Sequence, residues 1–358
     1  MIAWRTGSVS ALRRRWRGAV ELLVTVGGEQ LPALAYPALV GEPRVGDQVL
    51  LNAGALELGL GTGGYALVVA LPQRLPPDPP GGLQRSAGHL VKARYTPLQP
   101  IVLGVDEQAS PYREALSGDP GLDGMPVVAA DLHSAVPAIL AGVLADRPGA
   151  RVGYVMTDGA SLPAWFSRTI DALAGLLAGV VTAGQAFGGD LEAVNVHSGL
   201  LAVRHALECD VAIVAQGPGN LGTGTVWGFS GAAAGEALNA AVVLGGRPVG
   251  SLRLSAVDPR PRHRGVSHHS LTAYGRVALV PADLVVPLGL PGQLADEVEA
   301  QLAPLADRHR IVPVDTTGLD DSLRNLPVQL STMGRGLAED PWYFLAAAAA
   351  GRHAATLL

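Results

Sequence analysis

Hydrophobic residues follow two different rhythms along the chain. From Gly18 to Val69 the apolar runs are short, for example AVELLVTV and YALVVAL, and glycine-bearing turns separate them. Short strands at a spacing of roughly ten residues predict a small β-barrel or β-sandwich. A proline-rich stretch over residues 71–82 interrupts the pattern, and we interpret it as a linker. We therefore predict a small β domain over residues 1–95.

Residues 96–358 alternate continuous apolar strands with segments of helical length. The predicted strands are PIVLGV, MPVVAAD, RVGYVMT, GVVTAG, DVAIVAQ, VGSLRL, DLVVPLG and RIVPVD. The predicted helices cover residues 136–146, 163–177, 193–208, 233–244 and 293–308, and a last helix follows the Asp340-Pro341 pair. Strands that are apolar along their whole length and alternate with helices predict an α/β domain, with a mostly parallel, doubly wound sheet and helices on both faces.

Composition narrows the class of function. Hydrophobic residues make up 48% of the chain, charged residues 16%, and the net charge is −5, which favours neither disorder nor a nucleic-acid-binding surface. The uncharged run 211–235 contains GPGNLGTGTVWGFSG, whose glycines and proline are incompatible with the ~20-residue apolar helix that crosses a bilayer. The basic N-terminus lacks the apolar segment of a secretory signal. We expect a cytoplasmic protein with no nucleic-acid or membrane partner, and a homo-oligomer remains open.

Two rare residues limit the cofactor chemistry. Cys209 is the only cysteine, which excludes an internal disulfide and a multi-cysteine zinc site. Lys92 is the only lysine and stands in no phosphate-binding or Schiff-base motif. Cofactor and metal therefore stay unknown from the sequence.

Polar residues follow one predicted strand after another. Asp131 and His133 follow the second predicted strand, Asp158 follows the third, and Gln185 and Asp190 follow the fourth. The carboxyl ends of parallel strands share one edge, where ligands bind at a topological switch point, so these loops should face one crevice. Any one of the acidic residues could instead cap the helix that follows it. The convergence of several loops is what indicates a site.

Two glycine-rich loops predict contacts with an anion. In GQAFGGD, Gly188 and Gly189 precede a predicted helix, where free amides and the helix N-terminus favour negative charge. GPGNLG matches G-x-G-x-x-G, but the sequence stays glycine-rich where a dinucleotide site would open a helix. The loop could cradle an anion or be a flexible lid without ligand contacts. The candidate ligand-binding residues of the two loops are Gln185, Gly188, Gly189, Gly217, Gly219, Asn220, Gly222, Thr223 and Thr225.

The segment VDPRPRHRGVSHHS concentrates guanidinium and imidazole groups. Arg260, Arg262 and Arg264 alternate along a predicted extended loop, which suits bidentate contacts with a carboxylate or phosphate. His268 and His269 are adjacent, so they cannot share one helical face and are not the i, i+4 pair of a zinc helix. Each histidine could equally be a hydrogen-bonded scaffold residue. The candidate catalytic residues are Asp158, Asp190, His263 and His268, and the supporting candidates are Asp131, His133, Glu192, His197, Asp258 and His269.

Four phrases of the sequence, taken together, resemble a known family. They are NAGALELGLGTGGYALVVA, GQAFGGDLEAVNVHSGL, GPGNLGTGTVWGFSGAAAGEALNA and DPRPRHRGVSHHSLT. The family they resemble is a bacterial one catalogued as domain of unknown function family 3866, and the resemblance covers nearly the whole chain. It implies a cytosolic bacterial protein with an N-terminal β part and an α/β body, and it implies no activity, cofactor or catalytic residue.

Three hypotheses for function remain open from the sequence. The first is an α/β enzyme acting on a small phosphate- or carboxylate-bearing molecule. In it, Asp158 or Asp190 is a general base or metal ligand, His263 or His268 carries a proton, and the three arginines of the basic segment clamp the anion. The second is a non-catalytic ligand sensor that uses the same crevice. The third is a scaffold whose polar loops bind no ligand.

Overall fold

A computed structural model describes residues 2–78 and 88–358. The chain divides into two compact units, one comprising Met1–Val102 with Trp165–Asp171, the other Leu103–Ala164 with Ala172–Leu358. Part of the predicted proline-rich linker, residues 79–82, lies outside the described residues. The domain boundary after residue 95 stays a prediction.

Five strands of the first unit close into a barrel. They are β1 (Trp4–Trp16), β2 (Ala19–Val26), β3 (Glu29–Ala35), β4 (Gln48–Asn52) and β5 (Ala66–Ala70), with short helices α1 (Pro37–Val40) and α2 (Gly54–Glu57). Their order is β1-β2-β3-β5-β4, and β3 and β5 are parallel while the other pairs are antiparallel. This is the arrangement of a five-stranded OB-fold barrel. Of the two predicted forms, barrel and sandwich, the barrel is confirmed.

Inward-facing aliphatic side chains fill the barrel, among them Leu22, Val24 and Leu51, each fully buried. β1 lies outside the region where the sequence predicts strands, because three consecutive arginines break its apolar alternation. After the barrel, β6 (Leu90–Val91) and β7 (Ile101–Val102) form a short antiparallel pair. The first part of the predicted strand PIVLGV pairs here, and its end contacts the parallel sheet through one parallel bridge between Gly104 and Glu192 of its edge strand.

The second unit contains the larger sheet and most of the helices. Its strands are β8 (Pro126–Ala129), β9 (Val152–Thr157), β10 (Gly179–Thr182), β11 (Leu191–Glu192), β12 (Val211–Gln216), β13 (Arg247–Ser251), β14 (Leu254–Ser255), β15 (Gly265–Val266), β16 (Asp283–Pro287), β17 (Arg310–Val314), β18 (Ser331–Thr332) and β19 (Arg335–Gly336). The helices that follow α2 are α3 (Arg113–Leu116), α4 (Val136–Asp146), α5 (Arg168–Ala172), α6 (Val196–Leu201), α7 (Ala233–Val243), α8 (His268–Thr272), α9 (Gly292–Leu302), α10 (Leu319–Arg324) and α11 (Pro341–Thr356). α6 and α8 each continue into a π-helical turn.

Eight strands form one parallel sheet, as the sequence predicts. Their order is β11-β10-β9-β12-β8-β13-β16-β17, and every pair is parallel. From β8 the chain continues to β9, towards the β11 edge of the sheet. From β13 it continues to β16, towards the opposite edge at β17. Adjacent β8 and β13 are therefore a topological switch point, the place where open α/β sheets generally bind their ligands.

Two predicted helices differ from the structure. The helix predicted over 163–177 shortens to α5. The helix predicted over 193–208 begins at Val196, because the Asn195 side chain caps it by accepting from the Ser198 amide. The residues just before it form the edge strand β11. Within the part of the chain that is described, every helix is too short or too polar to cross a membrane.

Candidate functional site

The switch point between β8 and β13 brings together one acid, one arginine and one histidine. Asp131 follows β8, Arg253 follows β13, and His269 lies in the first turn of α8. All three are buried, with Arg253 only 4% exposed. Arg253 Nη1 lies 4.0 Å from Asp131 Oδ2 and 3.4 Å from His269 Nδ1, and His269 Nδ1 lies 3.7 Å from the same Asp131 oxygen. Segments more than a hundred residues apart thus meet at the edge that the topology predicts.

A network of ion pairs surrounds this centre. Asp258 accepts from Arg260 Nε at 2.9 Å and Nη2 at 2.8 Å, and from Arg335 Nη2 at 3.0 Å. Asp340 accepts from Arg335 Nε at 3.0 Å and from Ser255 Oγ at 2.8 Å. Burial alone would raise the pKa of Asp258, but hydrogen bonds and charge from Arg260, with a further hydrogen bond from Arg335, hold it well below the usual range.

The charges of the network balance. The three guanidiniums of Arg253, Arg260 and Arg335 face the three carboxylates of Asp131, Asp258 and Asp340. The second Arg253 nitrogen, Nη2, lies 3.9 Å from Asp258 Oδ2, which is too far for a hydrogen bond. Arg253 therefore lies near two carboxylates, those of Asp131 and Asp258, and neither of them satisfies all of its N–H groups.

Three histidine rings form a compact group beside Arg253. The ring centroids of His263 and His268 lie 4.9 Å apart, those of His263 and His269 5.0 Å, and those of His268 and His269 4.4 Å. The Phe229 ring stacks on His269 at 3.9 Å with an interplanar angle of 3°. Ser267 Oγ lies 2.7 Å from His263 Nδ1. His268 and His269 are adjacent in α8. Neighbouring side chains of a helix usually point in different directions, but these two imidazole rings lie close together at the start of the helix.

His263 and His268 are both uncharged at neutral pH. Burial, followed by the positive charges of Arg253 and Arg260, lowers the pKa of His263 to about 3. Burial, followed by the charges of His269 and Arg262, lowers the pKa of His268 to about 4. At neutral pH each ring therefore has a nitrogen lone pair, which can accept a proton or bind a metal ion.

Five buried polar atoms of this region lack hydrogen-bond partners among the residues that the structure describes. They are Asp131 Oδ2, Gln216 Oε1, Arg253 Nη2, His268 Nε2 and Asp340 Oδ1. Leaving one such atom unpaired costs about 1–3 kcal/mol, so native proteins rarely leave several together. A cavity of about 10 Å³ borders Asp131 and Gln216 and is large enough for roughly one water molecule. The concentration of unpaired atoms indicates a place for water, an ion or a polar ligand.

The GQAFGGD loop differs from its predicted form. Gly188 N donates to Glu192 Oε1 at 2.7 Å, and Gly189 N donates to Thr182 Oγ1 at 3.3 Å. Glu192 also accepts from the Thr182 hydroxyl at 2.7 Å. Strand β11 separates Gly189 from the predicted helix, which begins only at Val196, so the two glycine amides do not lie at a helix N-terminus, and the buried Glu192 carboxylate binds the Gly188 amide. The two glycine amides are engaged within the protein.

Asp158 and Asp190 also bind backbone amides. Asp158 Oδ2 accepts from Gln185 N at 2.8 Å, which fixes the turn after β10. Asp190 Oδ2 accepts from Val180 N at 2.8 Å, close to the amino end of β10. The structure thus brings His263 and His268 of the predicted catalytic set together, and it places these two acids along the outer strands of the sheet.

The GPGNLG loop touches the site only at its base. Gln216 Nε2 donates to the Asp131 carbonyl and to Asn220 Oδ1, both at 2.7 Å. Beyond Asn220 the loop is a small hairpin in which Thr223 N donates to the Gly228 carbonyl at 2.7 Å. Residues 221–227, with the predicted Gly222, Thr223 and Thr225, are exposed, as is Gly219, whereas Gly217 is buried beneath them.

The predicted arginine clamp separates into three different environments. Arg260 turns inward to Asp258, Arg262 is exposed, and exposed Arg264 lies 3.6 Å from Glu297 on α9. The predicted supporting residue His197 is exposed on α6.

His133 is buried, with its Nδ1 3.0 Å from the Tyr154 hydroxyl, which in turn donates to the Gln216 carbonyl at 3.0 Å. Burial lowers the pKa of His133 to about 4, against a weaker opposing effect of the hydrogen bond that the ring donates to the Gln216 backbone. Between pH 6.5 and 4 the unfolded chain binds a proton here that the native chain does not, so stability falls as the pH falls. We expect this group to cost up to about 3 kcal/mol over that window.

Urea unfolding at pH 7 and pH 4.5 checks the His133 prediction. His133→Gln can keep the hydrogen bond to Tyr154 but does not titrate, so its free energy of unfolding should decline less over the same range. Equal declines in the wild type and the variant would contradict it.

Sequence reasoning missed Arg253, Arg335 and Asp340. Arg253 did have a signal, because it is a lone charge in the apolar phrase VGSLRL. Arg335 lies in a glycine-flanked turn, and Asp340 resembles an ordinary helix-entry residue. Nothing in their local sequence distinguishes these two residues from structural ones.

The fold and the site together define a class: an α/β protein with a buried cluster of polar and charged side chains at the switch point of a parallel sheet, carrying a five-stranded N-terminal barrel. The chain belongs to the family described as protein of unknown function (DUF3866), whose model matches residues 32–351. The resemblance noted in the sequence is thereby confirmed. Comparison with curated proteins gives no match.

Proposed function

We propose that this protein is an enzyme that binds a small phosphate- or carboxylate-bearing molecule in the crevice beyond β8 and β13. The observation that carries the proposal is the buried guanidinium of Arg253, whose Nη2 has no hydrogen-bond partner in the described residues. A guanidinium stays charged in proteins, so its unpaired N–H groups need an acceptor. An anion with two oxygens matches the fork of an arginine.

The histidines supply the proton chemistry of the proposed enzyme. His263 and His268 are neutral, and positive neighbours contribute to their low pKa values. An anion bound beside Arg253 would offset that positive charge and raise both pKa values, while burial, the larger cause, would still act to lower them. Each neutral imidazole has one nitrogen lone pair, which can accept a proton from the bound molecule or hold a metal ion, but not both at once. The Phe229 ring, stacked on His269, restricts the orientation of that imidazole.

A ligand panel tests the binding step. Inorganic phosphate, phosphate monoesters and small mono- and dicarboxylates are screened by thermal shift, and hits are quantified by calorimetry. We expect at least one saturable ligand that raises Tm, because ligand binding stabilises the native state by about 2.7 kcal/mol at a hundred times Kd. Arg253→Lys keeps the charge but loses the fork, and it should weaken that ligand at least about tenfold, since one charge-assisted hydrogen bond is worth about 1.5–3 kcal/mol.

Arg264→Lys is the matched control for the panel. Arg264 belongs to the same sequence segment but is exposed and paired with Glu297, so its replacement should leave affinity unchanged. Mass spectrometry of the incubated ligand then separates two functions, because an enzyme converts it and a sensor returns it intact. A panel with no effect on Tm would contradict anion binding and favour the scaffold hypothesis.

A further inference from the structure

We infer that His263, His268 and His269 form the binding site of one divalent transition-metal ion of the zinc type, with an open coordination position. The site itself stands on the histidine geometry, and its role towards an anionic ligand rests on the function proposed above. Each of the three side chains offers one ligand nitrogen, and these atoms all lie within 4.8 Å of one another.

The spacing of the nitrogens suits coordination after a small closure. Zinc binds imidazole nitrogens at about 2.0–2.1 Å, which places the nitrogens of a tetrahedral site about 3.3 Å apart. The observed upper limit of 4.8 Å therefore closes by roughly 1.5 Å, a movement that side-chain torsions of three adjacent rings can supply. His268 and His269 share one helix start, and His263 comes from the turn that leads into it.

The groups around the rings are those that orient metal ligands. Metal-bound histidines usually use their second ring nitrogen to bind an oxygen of the protein. His263 Nδ1 lies 2.7 Å from Ser267 Oγ, which leaves Nε2 of that ring for the ion. His269 Nδ1 lies 3.4 Å from Arg253 Nη1 and 3.7 Å from Asp131 Oδ2, so Nε2 of His269 is available to the ion when Nδ1 carries the proton and turns towards Asp131. His268 Nε2 is buried and has no partner in the described part of the chain.

Stacking of neutral rings without a metal is the competing explanation. It accounts for the parallel contact between His269 and Phe229, but it leaves the buried His268 nitrogen unpaired, whereas an ion satisfies it. The nearby charges do not exclude a cation: Arg253, Arg260 and Arg335 are balanced by Asp131, Asp258 and Asp340, and only exposed Arg262 adds a further positive charge. Three imidazoles favour zinc, cobalt, nickel or copper over magnesium and calcium, which prefer oxygen ligands.

Three protein ligands leave a fourth position free, which is the pattern of catalytic and not structural zinc sites. Water would take this position, or an oxygen of an anionic ligand whose other oxygen reaches Arg253 Nη1 or Nη2. The ion and the arginine would together favour phosphates and carboxylates over neutral molecules. This explains why the site combines a buried, unsaturated guanidinium with neutral histidines.

The test measures metal binding directly, without any organic ligand. The full-length protein is stripped with a chelator and titrated with Zn²⁺ by calorimetry, and with Co²⁺ by visible absorption, with bound metal counted by mass spectrometry. We expect one ion per chain and the ligand-field bands of low-coordinate, nitrogen-bound Co²⁺. His268→Gln should reduce Zn²⁺ affinity at least about 100-fold, since even outer-shell partners are worth 10–100-fold.

His197→Gln is the matched control, because His197 is an exposed histidine on α6. It should bind Zn²⁺ like the wild type, and circular dichroism and Tm of the metal-free variants establish that both fold. No stoichiometric binding by the folded wild type, or equal affinity of His268→Gln and the wild type, would overturn the metal site. Anion binding sensitive to Arg253→Lys but with no metal would leave the proposed function standing. Stoichiometric metal binding with no effect of any anion would support the metal site and contradict the proposed function.

Discussion

Replacing Asp258 with asparagine should lower the free energy of unfolding by about 3–5 kcal/mol, the usual cost of breaking a buried charge pair. The Asp258 side chain is 1% exposed and accepts four hydrogen bonds, three from Arg260 and one from Arg335. In asparagine one of the two oxygens becomes an NH₂ donor that faces N–H groups, and the partly buried guanidiniums of Arg260 and Arg335 lose their counter-charge. Urea unfolding at pH 7 measures the loss.

The exposed ion pair of Arg324 with Asp320 provides the control. Asp320→Asn removes the same kind of charge from an i, i+4 pair on a helix surface, so it should change stability by no more than about 0.5 kcal/mol. Equal effects of the two substitutions would mean that burial of the Asp258 network contributes little.

The loss in Asp258→Asn should also depend on pH in a defined direction. Because the folded pKa of Asp258 lies below the unfolded value of about 3.9, its charge stabilises the native state fully above that pH. Below it, the unfolded chain takes up a proton that the native carboxylate does not, so the advantage of the wild type shrinks as the pH falls. A gap between wild type and variant that widens from pH 5 to pH 3 would contradict this account.

The parallel sheet could be predicted because the sequence of each long strand already indicates a buried strand. β9 and β12 are apolar up to their last residues, Thr157 and Gln216, which is the composition typical of strands buried on both faces of a parallel sheet. The strands that were missed lack that evidence. β11 has only two residues, and it pairs because the buried Glu192 anchors the preceding loop. β1 has exposed arginines where an alternating pattern would show apolar residues.

The site could be predicted only where its residues are close in sequence. Asp258, Arg260, His263 and His268 lie within eleven positions, so a short basic segment already indicates them. Arg335 and Asp340 join the same network although they lie 77 and 85 residues along the chain from their partners Asp258 and Ser255, and no local sequence pattern predicts that proximity. Asp158 and Asp190 show the opposite difficulty, because the sequence indicates both residues but does not decide what they do. An acid after a strand can be catalytic or can bind a nearby amide, and only its partner decides between the two.

The adjacency of His268 and His269 led to an expectation that the structure corrects. Two neighbours in a helix point about 100° apart, so the sequence excludes a shared helical face. At the first turn, however, side chains lean towards the N-terminus, and no preceding turn lies in their way. Ser267 caps this helix by accepting from the His269 amide at 3.2 Å, so the rings converge over the open end. The rule about helical faces therefore applies poorly to the residues at a helix start.

Gly142→Ala should destabilise the protein by about 2 kcal/mol or more, although alanine is the better helix former. α4 and α11 cross so closely that a Cβ at Gly142 would lie 1.9 Å from the Ala348 carbonyl oxygen, and a Cβ at Gly351 would lie 1.9 Å from that of Ile139. The helix-propensity gain is about 1 kcal/mol, while forcing buried backbones apart costs about 1–3 kcal/mol or more. Because the obstacle is backbone on both sides, the steric cost should dominate.

Gly149→Ala is the control for this helix contact, since a Cβ at Gly149 would meet no atom within 4 Å. It should stay within about 0.5 kcal/mol of the wild type, whereas Gly351→Ala should match Gly142→Ala. Urea unfolding of the three variants gives the comparison, and a stabilised Gly142→Ala would show that α4 and α11 do not touch at their backbones. The double variant carries a sharper consequence. Once the first alanine has separated the helices, the second meets less resistance, so the two losses should sum to less than their independent values.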